Sequence, residues 1–320
     1  VVTTQPDGDQ FPVEMPYLPF LDAASTEFRW RLGLRPLDVA DWIEWGADSG
    51  EILDAKTRLN ERHPDTVFAV LDGVETASAE IATAIAEHVG SALRDDLHPL
   101  DAAARLVPED LVLMVERPVP EHRRSGGNAT ELVFGGGSVC FPNRWDLASK
   151  LGCTMNEVHE PVARLNAQLD VAIDRFFARL RPERSYWRLG WGILDTADWF
   201  TPTDGTAAPR PIGVAPGEMH LRVERETLRR FPQTNAILFT IRTHVAPLDA
   251  AVVDPRHRQR LAETLDALPS DVRDYKDLTD HVDALIDHLS ATPESAGSLH
   301  TASRTNTSHV HRTEHGAKLI

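Results

Sequence analysis

The feature that most restricts how this chain can fold is a succession of three strand-like runs with no helix-length segment between them. They are SYWRLGWGIL (185–194), MHLRVE (219–224) and NAILFTIRTHV (235–245). Parallel neighbours need a crossover of a dozen or more residues, usually a helix. Here a Pro/Gly/Thr-rich loop, TPTDGTAAPRPIGVAPG, separates the first two runs, and a basic turn, RETLRRFP, separates the second two. The three runs therefore predict antiparallel partners. Ahead of them, Val162, Leu165, Leu169, Ile173, Phe176 and Leu180 recur at steps of three and four, the stripe of an amphipathic helix over 161–180. Pro161 suits its first turn, where a missing N–H would be unpaired in any case, and Pro182 marks its stop.

Two further apolar runs, LVLMVE (111–116) and ELVFGGGSVCF (131–141), read as strands joined by the polar loop EHRRSGGNA. The GGG triplet at 135–137 lacks the spacing of a dinucleotide-binding turn and leads into no helix, so it predicts a bulge or a close backbone approach. Nearer the start, RPLDVADWIEW (35–45) has helical spacing with Asp38 as a cap. A helix is expected over 52–63, a short strand over 66–71, and one long and one shorter helix between Val74 and Val107. Helices are also expected over 257–268 and 278–289. This is the element order of a PAS domain, and order alone also allows an α+β sheet of unrelated topology. The expected class is α+β, a PAS-like antiparallel sheet with helices packed on one face and additional N- and C-terminal helices. Residues 1–20 are expected to be irregular, 21–290 to form one domain, and 291–320, rich in Ser, Thr and His, to be a disordered tail.

Composition narrows the function. A formal net charge of −16 disfavours nucleic-acid and anionic-membrane surfaces, which attract basic proteins. No apolar run approaches the roughly 20 residues of a membrane span, and VVTTQPDGDQ lacks the basic and apolar regions of a signal peptide, so the expected location is cytoplasmic. Two cysteines, Cys140 and Cys153, are too few for a disulfide framework or for an iron–sulfur centre held by four thiolates. Walker, GxSxG, HExxH and kinase patterns are missing, so hard chemistry would need an external cofactor.

His159 is the leading candidate for holding one. A lone histidine ordinarily packs or caps. This one precedes the long helix, where a PAS fold keeps its cavity. Glu160 or a nearby carbonyl is placed to fix its tautomer, and Val158, Val162, Phe176 and Phe177 to wall a flat macrocycle. On the second strand run Arg222, Glu224 and Glu226 alternate, so they point to one side, either as a solvated edge or as the polar wall of a cavity. Arg242 stands inside an apolar strand with Phe239 and Ile241, and a buried arginine implies an anionic partner. Trp187 and Trp191 share a face of the first run and Arg188 takes the other.

Three stretches together carry a resemblance: RLGLRPLDVADWIE, CFPNRWDLASKLGCTMNEVHEPV and LRVERETLRRFPQTNAILFTIRTHVAPL. Over roughly residues 15–250 the chain resembles the haem-dependent oxidative N-demethylase family. Trp145, Lys150, Gly152, His159 and Pro161 match its central motif; Arg222, Glu224, Arg225, Thr227 and Leu228 match its late one. Departures are Gly190 before Trp191, where asparagine is common, Glu226 for glutamine, and Ala163 for proline. The resemblance implies haem b in a PAS-like fold, with His159 as the iron ligand and Arg188, Arg242, Phe176 and Phe177 around the cofactor. Glu224 and Arg222 are then the catalytic candidates, facing O2 and a small amine substrate. The implied electrons come from NADPH through a separate flavin and iron–sulfur reductase, a partner protein that the cysteine count requires. The alternative from another class is a haem-binding gas sensor or haem carrier, for which no output module is visible in the 320 residues.

Overall fold

A computed structural model describes residues 15–22, 28–119, 130–162 and 164–291. The expected tail, the 121–129 loop, most of the N-terminal segment and Ala163 lie outside these residues. Seven strands form one sheet: β1 (Arg35–Leu37), β2 (Phe68–Val70), β3 (Asp110–Pro118), β4 (Thr130–Ser138), β5 (Ser185–Leu194), β6 (His220–Arg230) and β7 (Ile237–Pro247). Their order is β1-β5-β6-β7-β3-β4-β2, and every pairing is antiparallel. The α+β class and the antiparallel succession β5-β6-β7 hold.

Several boundaries differ for physical reasons. RETLRRF is no turn: β6 runs on to Arg230 because its charged residues find partners on both faces. Around Leu37 the chain makes a three-residue strand on the β5 edge and then a 3-10 turn over Val39–Asp41, whose Ala40 N–H donates to Asp38 Oδ1 at 3.0 Å. The long helix expected from Pro161 divides into α5 (Met155–His159) and α6 (Leu165–Arg179). Pro161 cannot donate to a preceding turn, and Arg164 takes a left-handed φ of 62°, so the run breaks between them.

The helices are not confined to one face. Opposed residues in the register share a face, which sets Arg188, Glu226 and Ile241 on one side and Thr227 and Thr240 on the other. Over the first face lie α5 and α6, with Val158, Leu165, Ile173 and Phe177 against Val112, Met114, Leu228 and Phe239. The opposite face is covered by α3 (Glu75–Val89) and α4 (Pro99–Ala104), with Ile81 and Leu100 against Leu111, Leu113 and Leu238. Beside them α8 (Pro255–Asp266) and α10 (Val282–Ser290) bury Leu261 and Leu285 against Leu221 and Val223. The reason is in the strands: β3 and β7 are apolar at both parities, so each face needs a cover.

The GGG triplet serves a close approach. The β3–β4 register shifts between Leu113 and Met114, and β2 pairs against Gly136 and Gly137. Gly136 has φ 154°, and a Cβ there would lie 2.6 Å from Val70 Cγ1 and 2.8 Å from Ala69 O. Gly136→Ala is therefore expected to lower stability by about 2 kcal/mol, read as a lower urea midpoint with an unchanged denaturant slope.

Candidate functional site

Polar groups interrupt the apolar packing between α5–α6 and the sheet, and there two adjoining lobes open. One holds about 570 Å³ of empty space and is lined by His159, Phe176, Phe177, Leu169, Arg188 and Glu226, with Trp30 to Leu34 at its outer wall. The second holds about 530 Å³ and is lined by Phe134, Phe141, Trp145, Val158, Asp110 and Glu224 among others. Met155, Glu226 and Phe239 belong to both linings, so the lobes share a wall.

His159 is held by the fold of α5 rather than by its own bonds. Phe134 N–H donates to Cys153 O at 2.8 Å and Gly152 N–H donates to Phe134 O at 2.9 Å, fastening the start of α5 to β4. Gly152 has φ 77°, which only glycine adopts without strain. Thr154 then caps the helix reciprocally with Glu157: Glu157 Oε2 accepts from Thr154 N–H at 2.7 Å, and Thr154 Oγ1 accepts from Glu157 N–H at 3.3 Å. One short turn later His159 is buried, and its Nδ1 has no hydrogen-bond partner. The expected role of Glu160 or a carbonyl in holding that nitrogen is therefore not seen. Burial first, then the positive charges of Arg188 and Lys150, push the His159 pKa down to about 3, so the ring is neutral at physiological pH. A neutral imidazole with an unpaired buried nitrogen is the form that binds a metal.

Aromatic rings build the wall beside it. Phe176 lies 5.5 Å from Phe177 and 5.3 Å from Tyr186, and Phe177 lies 5.9 Å from Phe239, all between ring centroids. Trp30 N–H donates to Gln168 Oε1 at 3.0 Å, which lays residues 28–34 along α6. Of the expected apolar walls, Phe176 and Phe177 face the His159 lobe, Val158 faces the second lobe, and Val162 packs in the core.

The charged candidates separate into two groups. Arg188 binds Glu226 through two hydrogen bonds, Nε to Oε2 at 2.8 Å and Nη2 to Oε1 at 3.1 Å. Burial alone would lower its pKa, but the Glu226 charge outweighs that and raises it. Arg222 donates to Glu224 Oε1 at 2.7 Å, to Phe141 O at 2.5 Å and to Thr243 Oγ1 at 3.2 Å. These four residues share the α6 face, as their alternation predicts.

Arg242 does not join them. It lies on the opposite face, where Nη2 donates to Asp48 Oδ1 at 2.6 Å and Nη1 to Thr243 O at 2.9 Å. The anionic partner that its burial demands is Asp48, not a cofactor beside His159. Around it are Glu44, which accepts from Tyr17 Oη at 2.9 Å and lies 3.0 Å from His244 Nε2, and the fully buried Glu109.

Sequence reading missed Asp110, Trp145 with Phe134 as walls, and the Trp30–Leu34 segment. Trp30, Leu32 and Leu34 alternate, a period-two cue within RWRLGL. Asp110, at the head of an apolar run, carried a cue of its own: it is fully buried and accepts from Cys140 N–H at 2.9 Å and Phe141 N–H at 2.8 Å.

A lone imidazole suits a metal whose other positions are filled by an organic ligand. Among the described residues no group of three or more His, Cys, Asp or Glu side chains is arranged to hold a bare ion. Fold and site thus define a protein with a mostly apolar pocket beside one neutral, buried histidine. The family described as haem-dependent oxidative N-demethylase, alpha subunit-like, matches residues 86–286, and the chain belongs to that family. The matched span contains His159, Arg188, Glu224 and Glu226. Its name supports haem as cofactor and oxidative demethylation as the type of chemistry. Among the described residues no helix is long and apolar enough to cross a membrane.

One titration follows from the opposite face. Burial pushes Glu109 up from 4.5 to about 7, although Glu44 N–H donates to its Oε1 at 2.7 Å, and its Oε2 has no partner. The folded state therefore holds a proton there that the unfolded chain releases, and stability falls as pH rises from 4.5 to about 7. Glu109→Gln should remove that loss, gaining on the wild type across this window by on the order of 3 kcal/mol, measured by urea unfolding from pH 4.5 to 8.

Proposed function

We propose that the chain is a haem-dependent, O2-using oxidoreductase that demethylates a small amine, with His159 as the protein ligand to the iron of haem b. The observation that carries this reading is the buried, neutral, unpartnered His159 nitrogen at the side of an aromatic slot. The five central strands, in spatial order β4-β3-β7-β6-β5 with α5 and α6 over one face, support a PAS-like core for the domain expected over 21–290. Haem, when bound, supplies the one-electron and O2 chemistry that side chains lack. The family resemblance implies electrons from NADPH through a separate flavin and iron–sulfur reductase, and two cysteines, too few to hold such a cluster here, fit that reading.

The chain's own residues do the rest. Phe176, Phe177 and Ile173 exclude water from the slot. Glu224 lines the second lobe, with one oxygen engaged by Arg222. Its carboxylate accepts the N–H of a protonated amine, and the aromatic lining of Phe134, Phe141, Trp145 and Phe239 suits an alkylammonium. Arg222 orients Glu224 and is itself fixed by Phe141 O and Thr243.

Protein purified from haem-replete cells should show a Soret band that His159→Ala weakens or abolishes; wild-type protein without the band overturns the assignment. With a reductase present, Glu224→Gln should lower kcat/KM for the amine about 10- to 100-fold, leaving the Soret band in place. Intact haem binding with no amine-dependent NADPH consumption would favour gas sensing or haem carriage over turnover.

A further inference from the structure

Haem carries two carboxylates, and the arginines expected around the cofactor and its substrate, Arg188, Arg242 and Arg222, are already engaged. Arg188 makes both of its short contacts to Glu226, Arg222 is paired with Glu224, and Arg242 is paired with Asp48 on the other face of the sheet. Lys150 is buried near His159 but lines neither lobe. One guanidinium at the site differs from these. Arg31 belongs to the lining of the His159 lobe, is exposed at its rim, and makes no hydrogen bond or ion pair among the described residues.

Resting on the haem reading above, we propose that Arg31 receives the haem carboxylates at the mouth of the slot. The physical case is one of sidedness. A macrocycle with apolar faces and a charged edge enters this lobe with its apolar part among Leu165, Leu169, Ile173 and the phenylalanines, and keeps its charged edge toward water. Arg31 stands at that edge, between Trp30 and Leu32, which line the same lobe. The bond from Trp30 N–H to Gln168 Oε1 holds the adjoining backbone against α6, so the Arg31 side chain starts from a fixed point beside the lobe. Its exposure means that its charge costs little before the ligand arrives.

The test compares haem with its dimethyl ester, which keeps the macrocycle and removes both negative charges. Apo wild type, Arg31→Gln and Arg31→Lys are titrated with each by absorbance, and haem loss is timed by transfer to an excess of apomyoglobin. Arg31→Gln should weaken haem binding and speed haem loss by about fivefold, with the Soret maximum unmoved, while Arg31→Lys recovers part of the loss. The ester should bind wild type and Arg31→Gln alike. Equal haem affinity in wild type and Arg31→Gln, or an equal loss for haem and ester, overturns the proposal. Wild-type protein that takes up neither compound overturns the haem reading itself, and this proposal with it.

Discussion

The wall between the two lobes depends on one buried ion pair, the twofold contact of Arg188 with Glu226. Register makes it: the two residues stand directly opposite each other on β5 and β6, on the face beneath α6. Such a pair adds little net stability over apolar side chains of like volume, because both charges lose their water. Removing one member is different, since it strands the other charge in an apolar surrounding, at a cost of about 3–5 kcal/mol. The pair therefore acts as a fixed polar element in a greasy interface. Glu226 lies with Phe239 and Met155 in the lining of both lobes, and Arg188 lines the His159 lobe.

The same face shows how a packed fold tolerates a cavity at all. Its apolar residues are shared with α5 and α6, yet α6 is held mainly at its ends. Asn166 Nδ2 donates to Asn156 O at 2.9 Å near the start, and Arg230 Nη2 donates to Phe177 O at 2.8 Å near the finish. Between these fastenings the helix faces the lobe with Leu169, Ile173 and Phe176. On the other side of the sheet no such spacing is kept: Ile81, Leu100, Leu111 and Leu113 are fully buried in direct contact. One face is packed throughout, and the other keeps open space beside His159.

Much of the site was legible in the residues. Alternation along β6 put Arg222, Glu224 and Glu226 on one side, and the structure keeps them there. The Trp187 and Trp191 rings point away from Arg188, as a period of two requires. His159 was found from its place before an amphipathic run, although the helix that carries it is α5 and not the long one. Arg242 shows where such reading fails. Parity along β7 says that it faces away from Ile241, but not which face the cavity occupies, and its partner Asp48 lies 194 residues earlier in the chain.

By itself, then, the order of residues determined the antiparallel succession, the side on which each strand residue stands, and the place of His159 near a helix boundary. These are local properties, set by periods of two and 3.6 and by where Pro and Gly interrupt them. Only the tertiary structure decided that helices cover both faces, that Arg188 meets Glu226 while Arg242 meets Asp48, and that residues 30–34 close the slot. Those outcomes depend on contacts between distant segments, and a charged side chain takes whichever opposite charge the fold brings within reach.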